Sequence, residues 1–177
     1  MQSTIVLSAA LAGSLLLGSV PFAAADDKAM IDANTVRALD WLRASEDTAQ
    51  LLERAAGVLV FPDIVEMGFG VGGEFGEGSL LVDGRTIDYY ATAGSTFGMA
   101  AGSDYKAEVI FFMTREALED FRERRSVKVG EHLQVPLAVN GRHALQVRDA
   151  HVGMVFSDGG PVAGPELDGD RITRILR

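Results

Sequence analysis

The chain contains no cysteine, which excludes a disulfide framework, a thiolate zinc site, an iron–sulfur cluster and a cysteine nucleophile. Basic charge is scarce: 16 Lys and Arg stand against 25 Asp and Glu, for a formal charge of -9. Binding that neutralises many phosphates needs a net basic surface, so nucleic acid is not an expected partner. Proline is rare, at 5 of 177 residues, and no linker, internal repeat or low-complexity tract interrupts the chain. That length and texture fit a single domain.

A long apolar span is also missing. Residues 4–25 carry no charge, but their apolar core at 5–17 has the length of a signal-peptide core rather than of a membrane helix. Pro21 follows it, and the small Ala23 and Ala25 fit the narrow pockets of a signal peptidase. Residues 1–25 are therefore expected to be a signal peptide, although the start, Met1-Gln2-Ser3, has no Lys or Arg. The expected mature protein is one domain, 26–177, in the periplasm or secreted. Its acid is uneven: residues 26–88 hold 13 acidic and 5 basic side chains, residues 89–177 hold 12 and 11. An anionic partner is expected on the second half.

Residues 26–44 predict a helix, with Ile31, Thr35, Ala38 and Leu42 on one stripe and Trp41 beside it. Ser45 reads as the N-cap of a second helix, which Gly57 would stop. From residue 58 the texture changes to short β-branched and aromatic runs broken by glycine, the composition of strands and tight turns. Strands are expected at 58–61, 68–82, 85–92, 97–102 and 106–113, with Asp83-Gly84 as a hairpin turn. Thr114 caps a predicted helix to about 125, and further strands are expected at 127–129, 133–139, 142–147, 152–156 and 171–176. The fold class is α+β: a curled, barrel-like and mainly antiparallel sheet, with N-terminal helices and one further helix packed on it.

Gly68-Phe69-Gly70-Val71-Gly72-Gly73 spells the dinucleotide pattern G-x-G-x-x-G. That fingerprint works when a helix N-terminus follows it, whereas Glu74-Phe75-Gly76-Glu77-Gly78 places carboxylates where phosphates would lie. Glycines in a curled strand are the better account, and no cofactor is expected. His132, His143 and His151 are spaced by 11 and 8, which matches no helical pair of ligands, but three strands could bring them together on a metal. Carboxylate pairs such as Asp63 with Glu66 or Glu74 with Glu77 are frequent by chance in so acidic a chain, and no serine sits in G-x-S-x-G. The densest basic cluster is Arg122, Arg124, Arg125 and Lys128, followed by Arg171, Arg174 and Arg177 at the C-terminus. Such clusters attract anionic headgroups at about 1 kcal/mol per side chain.

Ala56-Gly57-Val58-Leu59-Val60-Phe61-Pro62, the glycine-rich run from Gly68 to Gly78, Tyr89-Tyr90 and Ser95-Thr96-Phe97-Gly98-Met99-Ala100-Ala101-Gly102 together resemble the SYLF domain family. So do Val109-Ile110-Phe111-Phe112-Met113-Thr114 and the end from Leu167-Asp168-Gly169-Asp170 to Arg174. The resemblance implies a lipid-binding module without catalytic residues, related to actin regulators in eukaryotes and exported in bacteria. Two positions depart from the family pattern: Glu66, where relatives often carry lysine, and Ala100, where glutamine is common. The first weakens headgroup attraction.

The sequence thus predicts a non-catalytic lipid or membrane-surface binding protein of the bacterial envelope. Arg122, Arg124, Arg125, Lys128, Arg171 and Arg174 would meet headgroup phosphate, while an apolar groove or the first helix takes acyl chain. The partners expected are an anionic lipid or membrane surface, or a protein. The alternatives are a three-histidine metal enzyme and a protein-interaction module.

Overall fold

A computed structural model describes residues 27–98, 106–157, 160–162 and 167–177. The expected signal peptide and the 99–102 end of one expected strand lie outside the described residues. Two helices open the fold, α1 (Lys28–Arg43) and α2 (Glu46–Arg54), followed by strands β1 (Gly57–Phe61), β2 (Ile64–Val82), β3 (Arg85–Gly98) and β4 (Lys106–Phe112). Helix α3 (Arg115–Glu123), β5 (Ser126–Lys128), helix α4 (Gly141–Gln146), β6 (His151–Ser157), β7 (Gly160–Val162) and β8 (Arg171–Ile175) complete it. No described helix is long and apolar enough to cross a membrane.

All eight strands join one sheet in the order β5-β8-β3-β2-β1-β4-β6-β7, and each of the seven pairings is antiparallel. The frame is the β2–β3 hairpin, closed by the expected two-residue turn: Asp83 and Gly84 sit at φ 51 and 73, the left-handed pair such a turn requires. The sheet is mainly antiparallel as expected, but it is not a barrel. Closure needs the end strands to pair, and β5 and β7, of three residues each, lie at opposite ends of the order.

Both faces of the sheet's middle are covered, which is why β1 is buried at every residue rather than at alternate ones. On one face Leu59, Phe61, Leu80, Ile110, Phe112 and Ile172 pack under α3, whose Leu118 and Phe121 face inward. On the other, Val58, Val60, Val109, Phe111, Met154 and Phe156 pack under Ala38, Leu39 and Leu42 of α1 and Leu51 of α2. The helical stripe read from the sequence is the buried one: Ile31, Thr35, Ala38 and Leu42. The first turn of α1 holds no acid; Asp27 is its N-cap instead and accepts from the Met30 N–H at 2.9 Å.

Two expected strands are corrected. The strand expected at 142–147 is instead helix α4 (Gly141–Gln146) and its C-cap Val147, because the Asn140 side chain accepts from the His143 N–H at 2.8 Å and starts a helix that buries Gly141 and Ala144 against α2. Residues 133–139 make two isolated parallel bridges, Val129 with Leu133 and Leu137 with Gly153, and no ladder. Pro136, with no N–H to give, lies between them.

Candidate functional site

Three features on this frame have chemistry to offer. The first is a groove of about 450 Å³ between α1 and the β4–β6 side of the sheet. Its apolar wall is Ala38, Trp41, Leu42, Ala107, Val109 and Phe156, with Asn34, Arg37 and Asp63 at the rim. Helical spacing puts Asn34, Arg37 and Trp41 beside the buried stripe of α1. The Trp41 ring meets Phe156 edge-on at 4.5 Å yet stays 44% exposed, and Met30 on the same side of the helix is 51% exposed. Such a hollow has the size of a small-ligand site. Its wall is apolar, and Arg37 places a cation at its mouth.

The second feature gathers four of the six basic residues singled out from the sequence. Arg122, Arg124 and Arg125, from the end of α3, and Arg174, from β8, line an open hollow of about 390 Å³ together with Glu123, Ile175 and Leu176. The Arg174 N–H donates to the Arg125 carbonyl at 2.9 Å, which ties the two segments together. Asp88, 8% exposed, accepts from Arg122 at 3.4 Å and from Arg174. Arg124 and Arg125 have no ion pair among the described residues. Lys128 and Arg171 are cross-strand neighbours flanking the inward Val127–Ile172 pair, so strand alternation sends them to the opposite face. There Lys128 pairs with Glu131 at 3.4 Å. Arg177 joins neither group and binds Glu77.

The third feature is buried. Glu74 of β2, Glu108 of β4 and Asp170, just before β8, are 6%, 2% and 3% exposed, and each offers an oxygen within 4.8 Å of the others. Lys106 contacts Glu74, lies 3.2 Å from Glu108 and 3.7 Å from Glu66. Asp170 Oδ2 nevertheless accepts no hydrogen bond, and Glu108 Oε1 has Lys106 alone beside it. Burial pushes the Glu108 carboxyl up to about 7 against the pull of Lys106, and burial with the adjacent Glu74 pushes Asp170 up to about 7. Burial would lower Lys106, but Glu108 and Glu74 outweigh it and hold the ammonium above its ordinary value. Gly94 makes the packing feasible: a Cβ there would fall 1.9 Å from Asp170 Oδ1.

Sequence reasoning paired carboxylates by proximity and missed this cluster, whose members come from distant strands. The available signal was Glu108, a lone acid in the apolar run Val109-Ile110-Phe111-Phe112 that follows it. The three histidines do not converge. His132 and His143 each accept a backbone N–H at Nδ1, from Lys128 and Val139, and His151 packs edge-on against Phe112 at 5.6 Å, held below its ordinary pKa by burial. The only set of three converging metal-capable side chains among the described residues contains no histidine. The glycines of G-x-G-x-x-G lie inside β2, with no helix after them.

No curated protein matches the chain. The family model Ysc84, described as "Las17-binding protein actin regulator", matches residues 93–174, from the second half of β3 into β8. This stretch contains Glu108 and Asp170 and all six basic residues of the expected lipid site. The match, over the segment that carries α3, α4 and strands β4 to β8, is consistent with the SYLF resemblance of the sequence.

Proposed function

We propose that this protein is a non-catalytic binder of anionic amphiphiles, a lipid or a membrane surface, working in the periplasm or outside the cell that exports it. The observation that carries the reading is the groove beside α1, apolar along Trp41, Leu42, Val109 and Phe156, with Arg37 at its mouth. Acyl chain enters there and leaves water, worth about 0.8 kcal/mol per buried CH₂. The arginine hollow is a separate feature. It shares no lining residue with the groove and sits by α3, whereas the groove sits by α1 on the other face of the sheet, so Arg122, Arg124, Arg125 and Arg174 act as an electrostatic attractor for headgroup phosphate rather than as part of the groove. Arg124 and Arg125 carry most of that attraction, since Asp88 already offsets part of the charge of Arg122 and Arg174.

Flotation with anionic liposomes tests this. The chain should rise with the vesicles at low salt and largely remain behind at high salt. Trp41→Ala should weaken association at both salt concentrations, and Arg124→Glu with Arg125→Glu mainly at low salt. No association at low salt overturns the reading.

A protein partner is the second reading. It draws on the description of the matched family as Las17-binding.

A further inference from the structure

Three carboxylates share a space that water hardly reaches, and the one ammonium among them leaves an excess of two negative charges when all are ionised. Like charges this close and this buried oppose folding unless a cation or protons intervene. One oxygen, Asp170 Oδ2, lies buried inside the cluster without any partner, while Glu108 Oε1 has only its ion pair with Lys106 at 3.2 Å, and an unmet buried acceptor ordinarily costs about 1–3 kcal/mol. Asp170 belongs to the set whose three carboxylates each bring an oxygen within 4.8 Å of the others. The site is held from three directions: Glu74 and Glu108 stand on separate strands of the sheet, and Asp170 enters from the turn before β8, over the bare Cα of Gly94.

We propose that Glu74, Glu108 and Asp170 form a binding site for one hard divalent cation of the calcium and magnesium class. The donors are all carboxylate oxygens, the set such ions prefer, with no thiolate or imidazole to favour zinc or copper. A double positive charge offsets the excess, and it gives Asp170 Oδ2 the partner it lacks. Lys106 then turns from Glu74 towards Glu66, already 3.7 Å away at the partly exposed edge. Glu66, which departs from the family pattern, thereby becomes the rim partner that keeps Lys106 paired.

Titration calorimetry of the full chain, stripped with EDTA, tests the site with calcium and with magnesium in separate experiments. One equivalent of either ion should bind, and Tm should rise by roughly 5–10 °C at a hundredfold excess over Kd. Asp170→Asn should abolish both responses while melting in EDTA no lower than the parent, because it removes a repelled charge. If Asp170→Asn does not fold, Glu108→Gln carries the same readout. Absence of heat and of a Tm shift with both ions at about 10 mM, well above the Kd of weak extracellular calcium modules, overturns the proposal. So does binding that survives in the folded variant, which would place the ion on surface carboxylates.

Discussion

Tyr90 points its hydroxyl into the core beneath α3, 1% exposed and without a hydrogen-bond partner. Burial, with Asp88 adding to it, pushes this phenol up to about 12. The unfolded chain ionises it near 10, so between about pH 10 and 12 unfolding releases a proton and becomes easier. Stability should fall across that window, and Tyr90→Phe should remove this part of the fall while raising stability by about 1 kcal/mol near neutrality, since it deletes an unmet donor. Denaturant melts of both proteins from pH 8 to 12 check this. Gly78 works in the opposite sense: a Cβ there would lie 2.1 Å from the Val60 carbonyl oxygen, on the neighbouring strand. Gly78→Ala should cost about 3 kcal/mol or more, seen as a lower denaturation midpoint.

Among the elements, α3 shows most directly how a local signal becomes tertiary structure. Thr114 accepts from the Ala117 N–H at 3.2 Å, and Phe121 then stacks on Phe112 at 4.8 Å and on Tyr90 at 4.9 Å. Phe121→Ala should destabilise by about 3–5 kcal/mol, and Asn140→Ala, which uncaps α4, by about 1 kcal/mol; thermal melts rank the two. Helices α1 and α3 were legible because their apolar residues recur at helical spacing against one buried face. Helix α4 was not, for with six residues it barely completes a period, and its half-buried Leu145 and Val147 mimic strand alternation. The β2–β3 hairpin was legible at its Asp-Gly turn. The open ends of the sheet were not, since closure depends on which distant strands pair, and local pattern leaves that undetermined. For the same reason Arg122, Arg124, Arg125 and Arg174 could be recognised as basic residues, but the departure of Lys128 and Arg171 to the other face followed only from strand register. The convergence of Glu74, Glu108 and Asp170 draws on β2, β4 and the turn before β8, which are not neighbours in the sheet, and no spacing in the chain encodes it.

Over the whole molecule, an overall charge of -9 opposes approach to an anionic surface. The account therefore requires local chemistry to prevail: the arginine hollow on one side and the apolar groove on the other, over distances that salt screens beyond about 10 Å at 0.1 M. The groove has a built-in reporter, because Trp41 is the single tryptophan of the chain and lines its wall. The most direct measurement is Trp41 emission during titration with anionic vesicles at low salt, using lipids brominated along the acyl chain as quenchers. The account predicts a blue shift and strong quenching as acyl chain fills the groove, both lost when excess soluble anion replaces the vesicles. An emission spectrum unchanged and unquenched at saturating lipid would contradict it.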